Sequence, residues 1–120
     1  MMMMSYTESR LSTFKLNICM AIQKKVFGEN CELIVSGRVD GLLANELEVE
    51  ILAGIRDGAS SIYVNLSLAT FLCSAGIRVL MQYYRQMKAA KKTLLVTRPS
   101  PEVESILDMS GFKDLIVEKI

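Results

Sequence analysis

Histidine is absent from all 120 residues. That absence removes phosphohistidine relays and imidazole general-base chemistry together. No run of about eighteen apolar residues occurs, so no membrane span is expected. The Met1–Met4 start has neither the charged nor the apolar region of a secretory signal. The three cysteines, Cys19, Cys31 and Cys73, are odd in number and show no C-x-x-C spacing. With no histidine to complete a donor set, no metal site is expected, and a reduced, cytoplasmic setting fits best. Charge is scarce in excess of either sign: the formal net charge is +1, and no basic run is longer than Lys91-Lys92. Nucleic acid is therefore not an expected partner. No G-x-x-x-x-G-K loop is present, and no cofactor is expected.

What the chain does have is apolar residues, 51% of the total against 22% charged. A chain of this length and balance is expected to fold as one soluble domain. Residues 1–13 are polar or unpatterned and expected to be loose, leaving 14–120 as the domain. A first strand is expected within Lys15–Val26, and Phe27-Gly28-Glu29-Asn30 has hairpin turn chemistry. A second strand, Cys31–Ser36, ends at Gly37. Asp40 then caps a helix to about Arg56, with Leu43, Leu47, Ile51, Leu52 and Ile55 inward and Glu46, Glu48 and Glu50 on a solvated face.

Ile62–Leu66 alternates as a third strand, with Ile62, Val64 and Leu66 on one face. Asn65 through Gly76 reads as that strand running into a tight turn of small residues that opens a second helix near Ser74. This helix is expected to reach about Ala90, its inward stripe made by Ile77, Leu80, Met81, Tyr84 and Met87. At most one of the adjacent Tyr83 and Tyr84 should face the core. Thr93–Val96 is a short strand. Ser100-Pro101-Glu102 starts a third helix that stops at Ser110-Gly111, before a last strand around Leu115–Val117. Helices between strands require crossovers. The expected class is therefore α/β: a mostly parallel sheet of four to five strands, an opening antiparallel hairpin and three main helices.

Three blocks, Gly37-Arg38-Val39-Asp40, Leu66-Ser67…Cys73-Ser74-Ala75-Gly76 and Leu107-Asp108-Met109-Ser110-Gly111-Phe112, resemble the STAS domain of bacterial anti-sigma factor antagonists. They stand in that family's order over roughly residues 18–120. The resemblance implies a binding module, not an enzyme. Such a protein binds an anti-sigma factor that is also a serine kinase, is ejected when the kinase phosphorylates it, and is restored by a PP2C-type phosphatase. The family's phosphoacceptor falls on Ser74 and its partner-facing acid on Asp40. Cys73, Ala75, Gly76 and Arg78 fall on the partner-binding surface around them. The residue before the acceptor is usually Asp in phosphorylated members, and Cys73 stands there instead. Asn65 likewise replaces an acid found in many members. STAS modules that serve as subunits of transport complexes or scaffolds need no phosphorylation, and that alternative stays open.

The residues themselves admit other readings. A serine at a helix start is ordinarily an N-cap, and so is an aspartate such as Asp40. A helix start also carries partial positive charge that tolerates a phosphate. Cys73-Ser74-Ala75-Gly76-Ile77-Arg78 resembles the phosphate loop of cysteine-dependent phosphatases. Those enzymes need Cys-x₅-Arg, whereas Cys73 and Arg78 are spaced Cys-x₄-Arg. One helical position swings the arginine by about 100°, so an active phosphatase is not expected.

Overall fold

The computed structural model describes residues 21–113 and Val117. The segment 1–13 and the front of the expected first strand lie outside the described residues. The element order is β1 (Ile22–Phe27), β2 (Asn30–Val39), α1 (Gly41–Arg56), β3 (Ser61–Leu72), α2 (Ser74–Ala89), β4 (Thr93–Thr97) and α3 (Pro101–Ser110). The strands lie side by side in chain order. β1 runs antiparallel to β2, and β2, β3 and β4 run parallel. Val117 makes a parallel bridge to Val96 at the outer side of β4, where the last strand was expected. Of Leu115–Val117, Val117 alone is among the described residues.

Strand alternation builds the core. Cys31 lies beside Ile62 and Leu33 beside Val64, while Ile62 lies beside Leu94 and Val64 beside Val96. All of these are buried on one face, in one cluster with Leu43, Leu47 and Ile51 of α1, Leu80 and Met87 of α2, and Val103 and Leu107 of α3. The hairpin closes through Gly28, whose φ of +64° suits a tight turn. Asp40 caps α1, its Oδ1 accepting from the Leu43 amide at 3.0 Å, and Ser100 caps α3, accepting from the Val103 amide at 3.2 Å.

Two strands run further than the sequence pattern indicates. β2 continues through Gly37 (φ +89°) to Val39, and β3 continues past Leu66 to Leu72. Residues 67–72, expected in a tight turn, are thus strand, and Cys73 alone separates β3 from α2. The register explains this. Between the pairs Ile34/Asn65 and Ser36/Leu68, and again between Gly37/Ala69 and Arg38/Phe71, β3 spends one more residue than β2. Two bulges therefore fit the twelve residues of β3 beside the ten of β2. They break the alternation on which a strand is recognised. Asn65 holds the first bulge: its Oδ1 accepts from the Ser67 amide at 3.0 Å, and its Nδ2 donates to Glu32 Oε2 at 3.2 Å.

The inward stripe of α2 also differs. Gly76, Val79, Leu80, Met81, Tyr83 and Met87 are buried, while Ile77 and Tyr84 are half-buried. Tyr83 takes the core position because burial of its ring comes with a partner for its hydroxyl. That hydroxyl donates to Glu48 Oε2 of α1 at 2.6 Å. Glu48 is accordingly half-buried against α2 rather than part of a solvated face.

Candidate functional site

The ends of two neighbouring parallel strands make the site. Val39 and Leu72, the last residues of β2 and β3, are register partners, and the Cys73 amide donates to the Val39 carbonyl at 2.9 Å. Both strands then turn directly into helices. Adjacent strands lie about 4.8 Å apart, so the N-termini of α1 and α2 emerge side by side. Asp40 and Ser74, 34 positions apart by their numbers, share one rim of the sheet for this reason.

The two helix starts differ in chemistry. Asp40 is exposed, and one of its oxygens is spent on the Leu43 amide. At α2 the cap position belongs to Cys73, which makes no side-chain cap hydrogen bond. Ser74 is the first helical residue and its side chain is exposed. Of the readings open for Ser74, the ordinary N-cap does not hold: Cys73 takes that position, and Ser74 stands one step inside the helix beside amides that have no partner within it.

Small residues next to Ser74 serve the packing. Gly76 is buried, and a Cβ there would lie 2.7 Å from Leu72 Cδ1 and 3.2 Å from Val39 Cγ1. The missing side chain lets α2 start flush against the strand ends. Ala75 and Cys73 are half-buried, so Gly76 supports the surface from beneath while Ser74 and Arg78 stand out from it.

Two features escaped the sequence. Arg38 lies over the Phe71 ring, 4.0 Å from its centroid, on the same rim as Asp40. Nothing in the sequence pointed to this pair, because Phe71 fell within the expected turn. A groove of about 530 Å³ runs from Ser74 along α2, with Arg78 and Arg85 on its walls and Ile77, Met81 and Phe112 at its apolar side. Its spacing, with Ser74, Arg78, Met81 and Arg85 at i, i+4, i+7 and i+11, was present in the sequence as a stripe adjoining the core stripe.

Burial pushes the Cys31 thiol pKa up, away from the rim and under α1. The Tyr83 hydroxyl is pushed up to about 12, first by its hydrogen bond to Glu48 and then by burial. This bond ties α1 to α2 behind their exposed starts.

Comparison with known proteins gives a consistent family. Residues 22–118 match the family described as Mlab, STAS domain. The anti-sigma-B factor antagonist of Staphylococcus aureus is 30% identical over 102 residues, covering 84% of this chain and 90% of that protein. Among solved structures, the anti-sigma factor antagonist SpoIIAA in its unphosphorylated form superposes with a TM-score of 0.72 at 20% identity, covering 83% of this chain and 89% of that one. The Bacillus cell fate determinant SpoIIAA in its phosphorylated form gives 0.66, again at 20% identity, over 83% of this chain and 92% of that one. At that identity the two structures speak for the fold.

Proposed function

This chain belongs to the STAS domain family, and on that premise we propose that it is an anti-sigma factor antagonist switched by a serine kinase. In this reading it is a cytoplasmic binding module without catalytic activity. It docks on an anti-sigma factor that is also a serine kinase, through Asp40, Cys73, Ala75, Gly76 and Arg78 around Ser74, with Gly76 acting through the seating of α2. The kinase transfers the terminal phosphoryl group of ATP to Ser74 Oγ, ADP leaves, and the antagonist is released. A PP2C-type phosphatase hydrolyses the phosphoserine and restores it. No helix among the described residues is long and apolar enough to cross a membrane.

The observation that carries the reading is the exposed Ser74 at the first position of α2, held beside Asp40 by the Cys73–Val39 bond. One surface thereby offers an acid for recognition and a hydroxyl for modification. The phosphate would add a charge of about −1.5 to −2 at a helix start, where negative charge is favoured by roughly 0.3–1 kcal/mol. The fold accepts it without rearrangement, so inactivation works by charge and steric block at the surface.

The test is a transfer assay with the cognate anti-sigma kinase and ATP. One phosphate on the parent protein, none on Ser74→Ala, and release of the parent alone would support the reading. A stable complex with the kinase and no transfer would overturn the switch. A second reading, a non-phosphorylated subunit of a transport complex or scaffold, draws on Cys73, which leaves no carboxylate beside the acceptor. Copurification in a membrane complex, with no phosphate at Ser74, would support it.

A further inference from the structure

The charges of α2 are all of one sign. Its sixteen residues carry Arg78, Arg85 and Lys88 and no carboxylate at all. A helical arginine can pair with an acid three or four positions away. Arg78 has none there: its helical neighbours at those distances are Ser74, Ala75, Met81 and Gln82. Among the described residues no acid pairs with Arg78 from another element, the ion pairs there being Lys24–Asp57 and Lys113–Glu104. Arg78 and Ser74 are both exposed, and both line the groove of about 530 Å³, whose lining holds no acidic side chain among the described residues.

Resting on the phosphoserine reading above, we propose that Arg78 is the counter-cation of the Ser74 phosphate. It closes over the phosphate within the α2 groove and is thereby withdrawn from the partner-binding surface. Ser74 and Arg78 are i and i+4 on one helix, so their side chains meet one turn apart. A guanidinium offers paired N–H donors that match two phosphate oxygens. Phosphorylation then does two things at once. It adds an anion where the partner docks, and it neutralises the cation that sits one turn along. Arg85 lies eleven positions from Ser74, about 16 Å along the axis, beyond a Debye length of about 8 Å in physiological salt. It belongs to the same groove but is not part of the clamp.

The experiment places phosphoserine at residue 74 during translation, so no kinase is needed, and follows the second phosphate ionisation by ³¹P NMR. One unit charge a few ångströms away in water moves such an ionisation by about half a pH unit. Arg78→Gln should raise it by about that amount, Arg78→Lys should leave most of the effect, and Arg85→Gln should leave it unchanged. Identical titrations for the parent and Arg78→Gln would overturn the clamp, as would an equal rise in Arg85→Gln, which would indicate a diffuse field. Melting of the unphosphorylated variants checks that the fold is intact. Failure here leaves the kinase reading standing, and failure of kinase transfer leaves this titration readable.

Discussion

Val39 and Cys73 are joined by a 2.9 Å backbone hydrogen bond that locks the end of β2 to the end of β3. Val39 directly precedes Asp40 and Cys73 directly precedes Ser74, so this bond fixes Asp40 and Ser74 relative to one another. The backbone therefore sets this rim, and side chains on it can change without moving it. Substitutions there should separate binding from stability.

Ser74→Asp tests that separation. Position 74 is exposed at the start of α2, where a carboxylate meets the positive end of the helix. Stability should stay within about 0.5 kcal/mol of the parent, measured by urea unfolding, while affinity for the kinase falls. Ser74→Ala should bind as the parent does. Undiminished affinity in Ser74→Asp would count against inactivation by charge.

Cys73 offers a gain in place of a loss. It occupies the N-cap of α2 without a side-chain hydrogen bond to the helix. Cys73→Asp supplies an acceptor for the amides of the first turn, a substitution worth about 0.5–2 kcal/mol at such positions. The variant should melt higher. In the kinase assay it should also be phosphorylated at least as fast, since it places a carboxylate directly before Ser74. A lower melting temperature would mean that Cys73 is held by packing that a carboxylate disrupts.

The sequence disclosed helices more faithfully than strand ends. α1 and α3 begin where Asp40 and Ser100 indicate, because a cap is a local hydrogen bond between near neighbours. α3 ends at Gly111, whose φ of +83° only glycine adopts freely. The extension of β3 stayed hidden because its evidence lies in β2, in pairings such as Gly37 with Ala69 that no local pattern reveals. The choice between Tyr83 and Tyr84 depended on Glu48, thirty-five residues away. Ser74 was legible as a helix start, yet its place just inside the cap, and the groove beyond it, depended on how α2 seats through Gly76 against Leu72.

Asn65 uses both ends of its amide at the first bulge of β3. Its Oδ1 would be matched by an aspartate, but its Nδ2 donates to Glu32 Oε2 at 3.2 Å. Asn65→Asp sets two carboxylates against each other at a buried position. The variant should lose about 1–3 kcal/mol at neutral pH. The shared repulsion raises a folded-state carboxyl pKa above its unfolded value, so the penalty is full above that raised value. It should fade as pH falls from that raised value towards about 4, the ordinary carboxylate value of the unfolded chain. Urea unfolding of parent and variant at neutral pH and at about pH 4 checks this. An equal penalty at both would mean that bulge geometry, not charge, is at stake.

The Tyr83–Glu48 bond should appear as an alkaline signature. Tyr83 is buried and its hydroxyl donates at 2.6 Å to Glu48, which lifts its pKa to about 12, against about 10 in the unfolded chain. The stabilisation is fully present below about pH 10. Above that, the unfolded chain gives up its proton while the folded one keeps it. Stability then falls as pH rises toward 12, where the folded hydroxyl ionises too. Tyr83→Phe lacks both the bond and this loss. At pH 8 it should be less stable than the parent by about 1 kcal/mol, the net worth of one partly solvated hydrogen bond, and the gap should close between pH 10 and 12. The other three tyrosines and the lysines titrate in both proteins, so they drop out of the difference. A gap that stays constant across this range would mean that Glu48 does not shift the ionisation of the Tyr83 hydroxyl.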